Sequence, residues 1–241
     1  MIVLEKRPNP SRLWSYLTPL IAVLATMIAS GAMFAALGKD PFAALKLIFW
    51  DPLFGEFSFY YRSQLLLKAG PLILIAIGLS LGFRAGIWNI GAEGQYIMGA
   101  IAGAALFPMD ARWLIFPLMV VAGALGGFLW AMIPALLKTR FNTNEILVSL
   151  LLVYVAEQFL AKMAFGALRN PDGQGFPGSR NLAQYPSAAN PELIAGSGFH
   201  LGVAAAIIAV LVTAILISRH REGFAIKLMG VAPKAASLTG V

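Results

Sequence analysis

The 241-residue chain contains no cysteine. A disulfide framework, a thiolate nucleophile and a cysteine-ligated metal are therefore all excluded. Histidine is nearly absent as well. His200 and His220 stand twenty residues apart, which is no metal-ligand spacing. Charge is scarce, at 12% of residues, where a soluble domain carries roughly 25%. The chain has no Ser-His-Asp grouping, no His-Glu-x-x-His and no paired acids at usable spacing, which argues against an enzyme. It also lacks a Gly-x-x-x-x-Gly-Lys-Ser/Thr phosphate loop. The net charge of +7 invites a nucleic-acid reading. Its basic residues, however, sit singly at the ends of apolar runs and form no patch with exposed aromatics.

What is abundant is apolar sequence. Hydrophobic residues make up 59% of the chain and the mean hydropathy is +0.77. A bilayer core about 30 Å thick needs roughly 20 helical residues. Leu13–Leu37 has no charge over 25 residues and exceeds the apolar core of a signal peptide, so it reads as an uncleaved first span. Further spans are expected at Gln64–Phe83, Glu93–Phe107, Trp113–Leu137, Ile146–Leu168 and Phe199–Ser218. The expected fold is an all-α polytopic bundle of about six spans. Pro41–Trp50 reads as a short amphipathic helix at the interface, beside the aromatics Phe49 to Tyr61. Gly99-x-x-x-Gly103 and Gly123-x-x-x-Gly127 are spaced for close helix approach. Pro108–Arg112 reads as a tight turn, and Asn142-Thr143-Asn144-Glu145 as a capped helix start. Arg169–Ser197 reads as a polar loop with turn chemistry at Pro171–Gly175.

Gly82–Gln95 organises the rest. It places Gly82, Gly86, Gly91 and Gly94, with Arg84, Asn89, Glu93 and Gln95, between two apolar runs that are short for spans. Glycine lowers the cost of leaving helical geometry, and Gly-interrupted apolar segments point to a transport path. Two readings stand level: a broken helix around 84–94 beside a polar path, or a hairpin loop anchored by Arg84. Glu157 and Gln158 fall near the middle of the fifth span. A carboxylate there faces protein or water, either as a path contact or as a helix-packing group.

Orientation follows from the basic residues. With the N-terminus inside and six spans, ten basic residues face four acidic ones on the inside, and eight face seven on the outside. That places the N-terminus and residues 219–241 in the cytoplasm. The tail can form a short helix presenting Phe224, Leu228 and Met229 to a partner groove. It can equally rest on anionic lipid through Lys227 and Lys234.

Asn89-Ile-Gly-Ala-Glu-Gly-Gln95 resembles the signature of bacterial ABC importer permeases of the nucleoside and simple-sugar group, within the branched-chain amino acid and ribose permease superfamily. The resemblance continues at Thr143–Ser149, at Pro171–Gly178 and at Gly223–Gly240, which is similar to the family's cytoplasmic coupling segment. Trp88 departs from the commoner Phe. The chain also stops just after that segment, where members continue into several more spans, so it reads as a partial permease.

The resemblance implies a permease domain over 1–218 and a coupling segment over 219–241 in the bacterial inner membrane. It implies inward movement of a small polar solute, a nucleoside first and a simple sugar second, by alternating access. A passive channel or a membrane-embedded enzyme is the remaining alternative. Trp88, Asn89, Glu93, Gln95, Glu157 and Gln158 become pathway candidates, although Glu93 also suits a helix cap. Gly223, Phe224, Lys227, Leu228, Gly230, Ala235, Ala236 and Gly240 become candidates for contact with the ATPase. Implied partners are an ABC ATPase that holds ATP and Mg, a second permease subunit, an extracytoplasmic solute-binding protein and the lipid bilayer. No cofactor is expected in this chain.

Overall fold

A computed structural model describes residues 11–106, 112–175 and 178–238. Most of the turn expected at Pro108–Arg112 lies outside them. The chain divides into two units between Leu65 and Leu66.

The first unit holds α1 (Arg12–Ala36), α2 (Pro41–Leu45) and α3 (Asp51–Phe54). Gly38, at φ +70°, ends α1 in a left-handed turn, with the Lys39 N–H on the Phe34 carbonyl. Asp40 caps α2 by accepting from the Phe42 and Ala43 N–H groups at 2.9 and 3.3 Å. The expected helix over Pro41–Trp50 is a composite: α2 widens into a π-helical turn at Lys46–Trp50, which runs on into α3.

α4 (Ser58–Arg84) begins earlier than the apolar run that predicts it. Arg62 Nε donates back to the Ser58 carbonyl at 3.1 Å, so the aromatic segment before Gln64 is already helical. The second unit continues with α5 (Ala92–Ala105), α6 (Ile115–Phe141), α7 (Glu145–Phe165), α8 (Leu201–Arg219), α9 (Arg221–Val231) and α10 (Pro233–Leu238). Among the described residues, α1, α4, α6, α7 and α8 are long and apolar enough to cross a membrane. The expected third span, Glu93–Phe107, keeps nearly its expected bounds. It forms α5, which has 14 residues and is about 21 Å long at 1.5 Å per residue.

α5 packs against both α6 and α7 and buries Gly94, Gly99, Ile101 and Gly103. The glycines allow backbone-to-backbone contact. A Cβ on Gly99 would stand 2.8 Å from the Gly123 carbonyl oxygen, and one on Gly103 would stand 3.0 Å from that of Met119. A Cβ on Gly126 would lie 2.6 Å from Ala102 Cβ. Without a hydrophobic effect between helices in lipid, such close dispersion contacts are what hold them together.

The α6–α7 corner follows its sequence. Asn142, at φ +50°, ends α6, and Asn144 caps α7 by accepting from the Ile146 and Leu147 N–H groups at 3.0 and 3.3 Å. The turn at Pro171–Gly175 also forms, with the Gly173 N–H on the Asn170 carbonyl. The expected loop after it holds a small hairpin, β1 (Glu192–Ile194) antiparallel to β2 (Phe199–His200). Gly196 and Gly198 take φ of +71° and +72°, and their N–H groups donate to the Glu192 carboxylate at 2.9 and 2.7 Å.

Two outcomes follow. Gly99→Leu or Gly126→Leu overpacks the α5–α6 contact and destabilises by about 1–3 kcal/mol or more. Gly78→Ala, where nothing lies within 4 Å, leaves Tm unchanged or slightly higher; thermal unfolding in detergent separates them. The second concerns pH. Hydrogen bonds from Gly196 and Gly198 hold the Glu192 carboxyl below its ordinary 4.5. The stabilisation is therefore whole above that value and is lost as pH falls through the lowered folded-state value. Amide exchange at Gly196 and Gly198 is expected to quicken only in that acid range, and Glu192→Gln to abolish the pH step.

Candidate functional site

α4 ends at Arg84 and α5 starts at Ala92, so the chain between them leaves helical geometry. Both readings of this stretch require such an interruption, and the structure forms it. Backbone groups freed in an apolar environment need partners, and neighbouring residues supply them. Gly86, at φ +78°, closes α4, with its own N–H on the Phe83 carbonyl and the Ile87 N–H on that of Gly82. The Ile90 N–H donates to Ser149 Oγ at 3.2 Å, and the Gly91 N–H to Asn89 Oδ1 at 2.9 Å. A Cβ on Gly91 would stand 2.8 Å from the Ser149 carbonyl oxygen. The stretches Asn89–Gln95 and Thr143–Ser149, far apart in sequence, thus meet along the break.

Asn89 and Gln95 form a reciprocal amide pair. Asn89 Nδ2 donates to Gln95 Oε1, and Gln95 Nε2 donates to Asn89 Oδ1, each at 3.2 Å. Both amides are half-buried and stand between two cavities. The first, of about 210 Å³, is lined by Trp88, Asn89, Gln95, Ser149 and the Lys138–Glu145 ion pair, whose Nζ and Oε2 lie 3.0 Å apart. Phe83 packs against Trp88 with ring centroids 4.9 Å apart. The second cavity, of about 450 Å³, runs along α4 from Leu74 to Gly82 and is closed by Ile87, Asn89, Gln95 and Tyr96. Paired amides can exchange their mutual hydrogen bonds for those of a hydroxyl or an amide on a solute.

The other pathway candidates lie elsewhere. Glu93 is exposed in the first turn of α5, where its charge complements the helix N-terminus, and it lines neither cavity. Glu157 and Gln158 are exposed on α7 and line neither cavity. Sequence reasoning passed over Ser149, which is 2% exposed; its signal was its place in the Thr143–Ser149 stretch. It also passed over Lys138, whose partner Glu145 follows it across the α6–α7 corner.

The tail reaches the same place. A Cβ on Gly230 of α9 would collide with the Arg84 carbonyl oxygen, and the Gly86 Cβ position lies 3.8 Å from Gly230 Cα. Gly223 is buried against the end of α8, where a Cβ would collide with the Leu216 carbonyl oxygen. Ala236 is buried on α10, while Phe224, Lys227 and Ala235 are exposed and Leu228 is half-buried. Gly240 lies outside the described residues.

Five apolar helices of spanning length among the described residues, and a polar-lined interruption between α4 and α5, describe a multi-pass membrane protein. Residues 61–241 match the family described as branched-chain amino acid transport system / permease component, and the chain belongs to that family. It is 34% identical to the glucose ABC transporter permease protein TsgB13 of Haloferax volcanii, over 94% of this chain and 61% of that protein. It is 29% identical to the guanosine ABC transporter permease protein NupP of Bacillus subtilis, over 95% of this chain and 66% of that one. It is also 29% identical to the nucleoside ABC transporter permease protein NupB of Lactococcus lactis, over 93% and 63%. The chain thus spans about three fifths to two thirds of the length of these curated relatives. No solved structure matches it significantly.

Ser149→Ala removes the acceptor for the Ile90 N–H. It is expected to cost about 1–3 kcal/mol through an unsatisfied donor, seen as a lower Tm and faster exchange at the Ile90 amide.

Proposed function

We propose that this chain forms membrane-spanning permease structure of an ABC importer that moves a small polar solute inward. A nucleoside is the first candidate and a simple sugar the second. The observation that carries the reading is the seat of Gly230 on the Arg84 carbonyl. It joins the tail directly to the break that holds Asn89 and Gln95.

In this reading the N-terminus and residues 219–241 are cytoplasmic, in a bacterial inner membrane. An ATPase subunit, which supplies ATP and Mg, docks on α9 and α10, where Phe224 and Val231 stand exposed. A solute-binding protein delivers cargo to the opposite face, and a second permease subunit completes the assembly. Glu157 and Gln158 face another part of that assembly, because a charged group on a spanning helix faces protein or water. Movement of α9 shifts the break, opens the Asn89–Gln95 pair and passes the solute between the two cavities. Permease-type names among the relatives support the class. The guanosine and nucleoside relatives support the first substrate, and the glucose relative the second.

The test is ATP-dependent uptake of guanosine and glucose by the full-length permease, reconstituted with its ATPase and binding protein. Asn89→Ala or Gln95→Ala is expected to lower uptake about tenfold, as one lost hydrogen bond of about 1–1.5 kcal/mol implies, with the ATPase still bound. Gly230→Leu is expected to abolish uptake and weaken co-purification of the ATPase. Uptake that runs without ATP would make the protein a channel. Failure of the folded permease to retain any ATPase would end the proposal.

A further inference from the structure

A third cavity, of about 250 Å³, lies beneath the β1–β2 hairpin, lined by Leu67, Pro71, Tyr96, Asn190, His200 and Val203 among others. It shares Leu74, Ile75 and Tyr96 as walls with the 450 Å³ cavity. That cavity in turn shares Ile87, Asn89 and Gln95 with the one at Lys138–Glu145. The three therefore follow one another. The upper two extend from Leu67 to Gly82 of α4, about 22 Å at 1.5 Å per residue.

The composition of this uppermost cavity is that of a small-solute site: apolar walls with a few convergent polar groups. Leu67, Pro71 and Val203 offer a surface to the face of a ring. Tyr96, Asn190 and His200 bring hydrogen-bonding groups to its edge. Gly202 also lines it, and a Cβ there would stand 3.1 Å from Asn190 Nδ2, so the missing side chain leaves room for that amide.

His200 carries the argument furthest. Its Nδ1 is out of solvent contact and has no hydrogen-bond partner among the described residues. The nearest carboxylate oxygen, Glu192 Oε1, is 3.9 Å away, beyond hydrogen-bond distance, and already accepts from the Gly198 N–H. A buried polar atom without a partner calls for an explanation, and a group arriving from outside is one.

We infer that Tyr96, Asn190 and His200 form a second solute-binding station beneath the hairpin, which holds a ring-bearing, hydroxyl-rich solute before it reaches the Asn89–Gln95 pair. The inference rests on the transport reading and names a further site for the same cargo.

The test uses the full-length permease in a background free of other cysteines, a condition this chain already meets. A single reporter is placed in the upper cavity as Leu67→Cys, or in the middle one as Ala92→Cys. Its rate of modification by a water-soluble methanethiosulfonate is followed with millimolar guanosine or glucose. Solute is expected to slow labelling of Leu67→Cys at least threefold. That protection should be lost with His200→Ala or Asn190→Ala and kept with His200→Gln. Protection of Ala92→Cys without protection of Leu67→Cys would overturn the upper station and leave the path intact. Protection of Leu67→Cys that survives both alanine changes would overturn the roles of His200 and Asn190. No protection at either reporter would overturn the station and the pathway reading together. A variant that fails to fold is recognised by loss of its monodisperse peak in detergent, and the other polar substitution then decides.

Discussion

A polypeptide that interrupts its helix in apolar surroundings must find partners for the groups it frees. Between Arg84 and Ala92 this demand reaches into α7. Ser149 Oγ accepts from the Ile90 N–H, while Gly230 of α9 packs against the Arg84 carbonyl. Asn89 turns back to serve the Gly91 N–H. Each partner is where it is because the break needs it there, so the stretches that meet at the break form one unit despite their separation in sequence. The polar pair Asn89–Gln95 arises within the same arrangement. One amide already engaged with backbone orients the other and fixes both at the boundary between two cavities.

The second constraint is distance. α5 is too short to hold its place by length. It is held by contact, and contact at the spacing of Gly99 on Gly123 requires that Gly99 carry no side chain. The same device recurs at Gly91 on Ser149, at Gly223 on Leu216 and at Gly230 on Arg84. These four meetings run from the α5–α6 interface through the break to the tail.

Much of this was legible in sequence. Uncharged runs marked the long helices, because a run of that length has few other uses. The glycine spacing marked the α5–α6 contact, and Asn144 the start of α7. What could not be read was which distant group would meet which. Ser149 looks like any serine on an apolar helix until the Ile90 N–H is placed against it. His200 looks like a polar residue at a span's end until the hairpin folds over it, and that hairpin depends on Glu192 gathering two glycine N–H groups.

The glycine contacts also bear on how motion would pass through the molecule. A contact between side chains can be absorbed by a change of rotamer. A contact between backbones, as between Gly230 and Arg84, has no such slack. Displacement of α9 along its contact must move the end of α4 or break the seat. The end of α4 is the start of the segment that carries Asn89, while Gln95 stands on α5, pinned between α6 and α7. A shift of one against the other therefore falls on the two hydrogen bonds that join them, each 3.2 Å long. Those bonds are between neutral groups, worth about 0.5–1.5 kcal/mol each. They are weak enough for such a shift to break them and directional enough to re-form in the same geometry.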